Sequence, residues 1–278
     1  MAFIFLFILF FNNIFSYRVS VITSVYKGGD FVKKYINNIQ KQSIFHECEF
    51  IIIDANSDEN EYLYFENLKD QFRNIKFIRL NHTPTLYECW NIGISLSSSD
   101  LITNWNIDDL RMYDNLELMA NFLENNSNIS LVYGDCLVSF EQNASIKKYL
   151  FKLSNLDKRF HDAKVVDSID KITIWFSKQF TTQNMLSNPP GPMPMWRKSI
   201  HDKYGFFDSK FKSAGDWEMW CRAAELGAIY YKMNIICGIY YFNPKGLSTI
   251  DIFDQSKISI KKGEEDFVFE KYKKVFKW

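Results

Sequence analysis

The 278-residue sequence predicts an α/β fold: a mainly parallel, doubly wound sheet with helices on both faces. Three observations carry that prediction. Strand-like and helix-like stretches alternate from Arg18 to Trp105. One of the strand-like stretches, Phe50–Ile53, is apolar at every position, as in parallel strands covered on both faces. The residues just beyond three of the strands are polar, and two of these clusters are acidic, as expected at the ligand edge of such sheets.

The elements run in order along the chain. Val19–Val25 is a β-branched run and reads as the first strand. Phe31–Gln42 places Phe31, Tyr35 and Ile39 at helical spacing, and Phe50–Ile53 is the second strand. Tyr62–Phe72 reads as helix, Ile75–Leu80 as strand, Thr85–Ser97 as helix and Leu101–Trp105 as the fourth strand. Repeated units of this length imply right-handed crossovers between parallel neighbours. Residues 139–180 carry no strong period. Between Asn188 and Arg197, four prolines and a glycine impose a rigid, extended crossing. A helix opens near Gly215-Asp216 and runs to Gly227, Tyr230–Tyr241 reads as one or two strands, and Asp266–Phe276 as a closing amphipathic helix.

Composition removes several classes of function. Lys+Arg and Asp+Glu stand at 33 each, so the basic excess of a nucleic-acid binder is missing. A mean hydropathy of −0.22 excludes a polytopic membrane protein. Aromatic residues reach 17%, with 26 Phe, which fits either an aromatic-lined surface or a compositional preference for Phe where Leu would serve. The five cysteines are odd in number and widely spaced, and the four histidines form no ligand pair; buried thiols in a reducing compartment are expected. Ala2–Phe11 is an unbroken apolar run, but residues 2–17 as a helix span only ~24 Å, and no Lys or Arg precedes the run. A cytoplasmic location is expected, with weak membrane association through residues 2–17 as the membrane contact to consider.

The strand ends carry the chemistry. The first runs into Ser24-Val-Tyr26 and Lys27-Gly28-Gly29-Asp30, the second into Asp54-Ala-Asn56-Ser57-Asp58, the fourth into Asn104-Trp-Asn106-Ile-Asp108-Asp109. A carboxylate pair at a strand end suits a hard divalent cation that keeps waters and takes substrate phosphates. Asp108 and Asp109 are adjacent and point differently, so one of them is expected to bind metal. Asn106 and Asp108 would share a face if the strand continued. No phosphate-binding G-x-x-x-x-G-K-[ST] or G-x-G-x-x-G follows any strand, which argues against an ATPase and a dinucleotide dehydrogenase. Asp216 falls at a helix start, where simple capping would also favour a carboxylate.

In order and spacing, these segments resemble the family 2 glycosyltransferases with the GT-A fold, over roughly residues 18–250. The carriers are Val19–Tyr26, Ile51–Ser57, Trp90-Asn-Ile-Gly93, Trp105–Asp109 and Gly215–Arg222. A subgroup reading N-x-N-x-D-D-x-R, P-M-W-R, A-G-D-x-E-x-W and N-P-x-G-L is closer still, matching Asn104–Arg111, Pro194–Arg197, Ala214–Trp220 and Asn243–Leu247. The resemblance implies a hydrophobic N-terminal extension (1–17), one catalytic domain with a nucleotide-binding half (18–138) and an acceptor half (139–250), and a C-terminal helical tail (251–278). It implies that Ser24, Tyr26 and Asp54 hold the base and ribose, with Asn91 and Asn106 also on the nucleotide side. Asp108 would bind Mn²⁺ or Mg²⁺ at the diphosphate, and Asp216 would take the acceptor hydroxyl's proton in an inverting transfer. Trp196 and Trp217 would offer faces to the acceptor. The implied donor is UDP- or GDP-linked, and the acceptor a glycan, lipid-linked or protein hydroxyl.

Three positions depart from the family pattern. Ala55 stands where many members carry a second Asp, Gly215 where a Glu often precedes the catalytic Asp, and Asn106 where D-x-D has its first Asp. The Q-x-x-R-W signature of processive synthases is absent, pointing to addition of a single sugar. Two alternatives stand beside this reading. One is a sugar-1-phosphate nucleotidyltransferase, for which Lys27-Gly28-Gly29 would be a thin phosphate loop. The other is a non-catalytic nucleotide-sugar-binding module.

Overall fold

The computed structural model describes residues 16–142, 144–146, 172–175, 177–187, 190–247 and 255–277. The N-terminal extension lies almost wholly outside them, as does much of the unpatterned stretch after residue 139.

Four parallel strands form the first half of the sheet: β1 (Val19–Val25), β2 (Cys48–Asp54), β3 (Ile75–Arg79) and β4 (Leu101–Asn104), in the spatial order β3-β2-β1-β4. The register sets Val25 beside Asp54, Asp54 beside Arg79 and Ile22 beside Asn104, so their carboxyl ends line up on one edge. Helices α1 (Val32–Ile39), α2 (Tyr62–Gln71) and α3 (Leu86–Leu96) connect them. Side-chain alternation sorts the two faces. Val19, Val21, Val25, Phe50 and Ile52 pack with Tyr35, Ile39, Phe65 and Leu68 of α1 and α2. Ile22 packs with Tyr87, Trp90 and Ile94 of α3, and Ile51 and Ile53 with its Cys89. Every residue of β2 is buried, which explains its continuous apolar run. Gly93 marks where α3 lies closest to β1: an added Cβ would come within 2.4 Å of the Ile22 side chain.

The second half is mixed. It holds β5 (Leu110–Arg111), α4 (Asn115–Asn125), β6 (Leu131–Ser139), β7 (Ile172–Trp175), β8 (Met195–Arg197), α5 (Ser199–Tyr204), α6 (Gly215–Glu225), β9 (Tyr230–Tyr241) and α7 (Gln255–Tyr272). The sheet continues β4-β8-β6-β9-β5, with β7 also on β6. β8 runs antiparallel to β4 and β6, while β6 and β9 are parallel. The direction of β4 is thereby restored in β9, whose carboxyl end reaches the same edge as those of β1, β2 and β4. Tyr230–Tyr241 is a single strand, its register shifting around Asp135 of β6.

The closing helix spans Gln255–Tyr272 rather than Asp266–Phe276. Val268 and Tyr272 of this helix, and Phe276 just beyond it, are buried, so the apolar spacing marks its docked end. Among the described residues no helix is long and apolar enough to cross a membrane. All five cysteines are buried free thiols.

Candidate active site

The carboxylate cluster is built from the turn after β4. The strand stops at Asn104, and Trp105 anchors the turn: its amide bonds the Ile22 carbonyl at 2.8 Å and its buried indole Nε1 donates to the Asp109 carbonyl at 3.2 Å. Because the strand ends there, Asn106 does not lie alongside Asp108. Its Nδ2 donates instead to Asp109 Oδ2 at 3.0 Å, so a nucleotide contact from Asn106 is not prepared by this turn. The other oxygen of Asp109 accepts the Tyr241 amide at 2.9 Å, and the residue is 1% exposed. Burial first, then the neighbouring Asp108 charge, push the Asp109 carboxyl well above the carboxylate range. Asp108 is half-buried and also pushed up by burial, with Asn243 Nδ2 donating to its Oδ2 at 2.9 Å. Of the adjacent pair, Asp109 is thus bonded within the turn and Asp108 is the more open member.

Beneath this turn lies Arg111, fully buried. Its Nη2 donates to Thr103 Oγ1 (2.6 Å) and the Asn104 carbonyl (2.8 Å), and Nη1 to Asn115 Oδ1 (2.5 Å). Burial lowers the guanidinium to about 10, where it still carries its charge at neutral pH. Asn38 of α1 brackets the Arg111 backbone through both amide atoms, at 3.1 and 2.8 Å. The spacing N-x-N-x-D-D-x-R thus encodes a turn whose members mostly bond one another.

The turns after β1 and β2 are interlocked. Asp54 is fully buried; its Oδ1 accepts the Ser57 amide at 2.8 Å, and Arg79 Nε lies 3.4 Å from Oδ2. Burial raises its pKa. Asp54 therefore shapes the Asn56–Asp58 turn and presents no surface to a nucleotide. The amides of Lys27, Gly28 and Gly29 donate to Ser57 Oγ (3.0 Å), Glu61 Oε1 (3.0 Å) and Glu59 Oε2 (2.8 Å). A phosphate loop needs those amides open; here they are engaged, two of them by carboxylates, which disfavours the nucleotidyltransferase alternative. Ser24 is half-buried at the end of β1, and Tyr26 stands 51% exposed just beyond it.

Asp216 occupies the first turn of α6, with Ala214 rather than Asp216 at the cap. Its Oδ1 accepts the Trp217 amide at 2.9 Å and, at 3.1 Å, shares the single Tyr87 hydroxyl proton with the Ser213 carbonyl at 2.7 Å. Burial pushes its pKa up, and these two bonds pull it partly back. Tyr87 belongs to the first turn of α3, entered from the carboxyl end of β3, which ties Asp216 to the ligand side of the sheet. An added Cβ at Gly215 would sit 2.6 Å from Tyr87 Cε2, so the glycine leaves room for that ring. The departure from Glu at this position is explained by the close approach.

Two further expectations are corrected. Trp196 is 1% exposed among Phe207, Trp220 and His201, and its Nε1 donates to His201 Nε2 at 2.9 Å. Burial lowers the His201 imidazole to about 4, keeping it a neutral acceptor. Trp196 is core and offers no face to an acceptor. Asn91 exchanges bonds of 2.8 and 3.1 Å with the Phe207 backbone, so both its amide atoms tie α3 to the 205–211 segment. Trp217 remains partly exposed, its Nε1 held by the Met185 carbonyl at 3.1 Å. Tyr87, Asn243 and Glu61 were not assigned roles from the sequence. Asn243 was visible as the first residue of an N-P-x-G-L motif, whereas Tyr87 and Glu61 look like ordinary helix-flanking residues.

The Glycosyl transferase family 2 profile matches residues 20–205. The chain belongs to that family. Solved structures agree on the fold: the chain matches S. aureus TarS 1–349 in complex with UDP at a TM-score of 0.60 and 14% identity, covering 81% of this chain and 61% of that one. The TarS complex with UDP-GlcNAc gives 0.61 and 14%, over 82% and 59%. The mannosyltransferase PcManGT from Pyrobaculum calidifontis, in complex with GDP-Man and Mn²⁺, gives 0.59 and 12%, over 83% and 58%. The fold is thus the GT-A fold, and this chain spans about 60% of the length of those two chains. No curated protein matches it significantly in sequence. Asp216 and α7 lie beyond the family-matched segment.

Proposed function

We propose that this glycosyltransferase moves one sugar from a UDP- or GDP-linked donor to an acceptor hydroxyl, with inversion and with a divalent cation. The observation that carries the proposal is a pair of half-buried carboxylates, Asp108 and Asp216, neither of which has a cationic partner among the described residues. Carboxylates shifted by burial and left without a counter-charge mark functional sites.

The donor set at Asp108 fits Mn²⁺ or Mg²⁺: one available carboxylate, with substrate phosphates and water completing an oxygen shell. A bound cation would offset the charge that develops on the leaving diphosphate. Asp216, ionised, accepts the proton of the acceptor hydroxyl as its oxygen attacks the anomeric carbon; the carbon–oxygen bond to the diphosphate breaks, and the nucleoside diphosphate leaves. Tyr87 and the Trp217 amide orient that carboxylate. Tyr26, exposed beyond β1, is the face for the nucleobase, with Ser24 beside it, and Trp217 flanks the acceptor side. PcManGT, bound to GDP-Man and Mn²⁺, and TarS, bound to UDP-GlcNAc, supply the precedent for donor and metal.

The test is release of nucleoside diphosphate from UDP-GlcNAc and GDP-mannose, with Mn²⁺ and with EDTA, by the wild type and by Asp216→Asn and Asp108→Ala. Metal-dependent release that both variants abolish is expected. Full turnover by either variant would refute the assigned roles, and pyrophosphate release from a nucleoside triphosphate would favour a nucleotidyltransferase.

A further inference from the structure

The helix α7 lies outside the family-matched segment, yet it grips the stretch that displays Asp216. Glu264 of α7 accepts three consecutive backbone amides: Lys212 on Oε1 at 2.7 Å, and Ser213 and Ala214 on Oε2 at 2.9 and 3.0 Å. These amides immediately precede α6, where no intrahelical carbonyl can receive them. A carboxylate from another helix supplies their acceptor.

The peptide unit joining Ser213 to Ala214 is held at both poles. Glu264 takes its N–H, while the Tyr87 hydroxyl donates to its carbonyl oxygen at 2.7 Å, the same hydroxyl that lies 3.1 Å from Asp216 Oδ1. A second tie lies one turn further in, where Glu218 Oε1 accepts Lys271 Nζ at 2.9 Å and the Tyr272 hydroxyl at 3.0 Å. The segment carrying Asp216 is therefore fastened to α7 just before and just after that residue.

We infer that α7 is a brace for the proposed base and that Glu264 is a positioning residue, fixing the 212–214 turn so that the Asp216 carboxylate faces the acceptor; this rests on Asp216 being the base. A rigid element that holds a reacting group within a fraction of an ångström governs kcat more than binding, and Glu264 acts through the backbone of the 212–214 turn.

The experiment uses the full chain, with UDP-GlcNAc and GDP-mannose as probes in the presence of Mn²⁺. Glu264→Ala is expected to lower kcat ~10–100-fold while donor KM changes less than ~2-fold. Hydrogen exchange at residues 212–216 should accelerate without a matching change in β1–β4. Glu264→Gln, which keeps one acceptor oxygen, should fall between and carries the same test should the alanine variant not fold. Glu270→Ala, an exposed change on the same helix, should turn over like the wild type. Unchanged kcat in folded Glu264→Ala, or an equal loss in Glu270→Ala, overturns the brace and leaves the proposed function standing. A wild type that cleaves neither donor overturns both.

Discussion

Glu218→Gln removes the charge that fastens α7 to α6 while keeping the side-chain shape. Glu218 is 3% exposed and accepts bonds from Arg222 Nε and Nη2 (3.2 and 3.0 Å to Oε2), Lys271 Nζ (2.9 Å) and the Tyr272 hydroxyl (3.0 Å). Burial opposes its ionisation, but the bonds from Arg222 and Lys271 outweigh it and hold the carboxyl below the glutamate range. Stranding a buried charge costs ~3–5 kcal/mol, but that limit is too high here. The Lys271 side chain is 42% exposed and returns to water, and Arg222 keeps the Tyr204 and Phe206 carbonyls. Losing the charge-assisted share of these bonds leaves a cost of ~2 kcal/mol. For a domain of this size that lowers Tm by ~4–8 °C. Because the folded pKa is depressed, the stabilisation is complete above the unfolded value near ~4.3 and is lost as pH falls through the folded one. Urea unfolding followed by circular dichroism, from pH 7 downward, should show the gap between wild type and variant closing in that window. A variant as stable as wild type at pH 7, or a gap that persists undiminished in acid, would refute the reasoning.

The same geometry sets other outcomes. Mn²⁺ at 100 times its Kd should stabilise the wild type by ~2.7 kcal/mol; a thermal-shift assay should find that increment absent in Asp108→Asn, and an equal shift would move the metal elsewhere. Tyr87→Phe removes a bond that favours ionised Asp216, so the acidic limb of kcat, already above the range of an ordinary aspartate, should move to higher pH; a static or downward limb contradicts the assignment. Trp196→Ala should cost ~3–5 kcal/mol by calorimetry, whereas Trp196→Phe should leave donor and acceptor KM unchanged, a raised acceptor KM being the contrary result. Gly215→Ala should lower kcat with little change in Tm, because a helix-propensity gain of ~1 kcal/mol offsets crowding of Tyr87; wild-type turnover would show that the ring yields freely.

The parallel half of the sheet was legible because its physics is local. The β-branched run Val19–Val25 and the all-apolar Phe50–Ile53 announce buried strands, and β4 ends one residue short of the predicted Trp105. Asp108 and Asp216 stood out for the same reason, each a carboxylate at an element's end. The expectations that failed depend on which partner a side chain finds, near or distant in sequence. Trp196 reads as a potential sugar platform beside P-M-W-R, and only the packing of Phe207 and Trp220 onto it makes it core. Asn91 and Asn106 are polar residues in motifs, yet their bonds go to Phe207 and Asp109, contacts that spacing alone does not specify. Tyr87 reaches Asp216 across 129 residues, and no local pattern distinguishes it from any helix-start tyrosine.

Several carboxylates of this chain separate by the company they keep. Burial raises the pKa of both Glu49 and Glu218, but Lys76 and Ser20 in one case and Arg222 and Lys271 in the other bring each below the glutamate range. Asp108, Asp109 and Asp216 are also raised by burial, with no such cation pairing them among the described residues, and stay high; Asp54 stays high as well, although Arg79 Nε lies 3.4 Å from its Oδ2. The sign of their effect on stability is reversed: the fold is stabler below their unfolded pKa and loses that increment as pH rises through the folded values. Ionising the ligand edge therefore works against folding. A donor diphosphate would add like charge beside Asp108 and bind weakly there by itself. Donor and divalent cation are accordingly expected to bind with mutual enhancement, each tightening the other by the same factor.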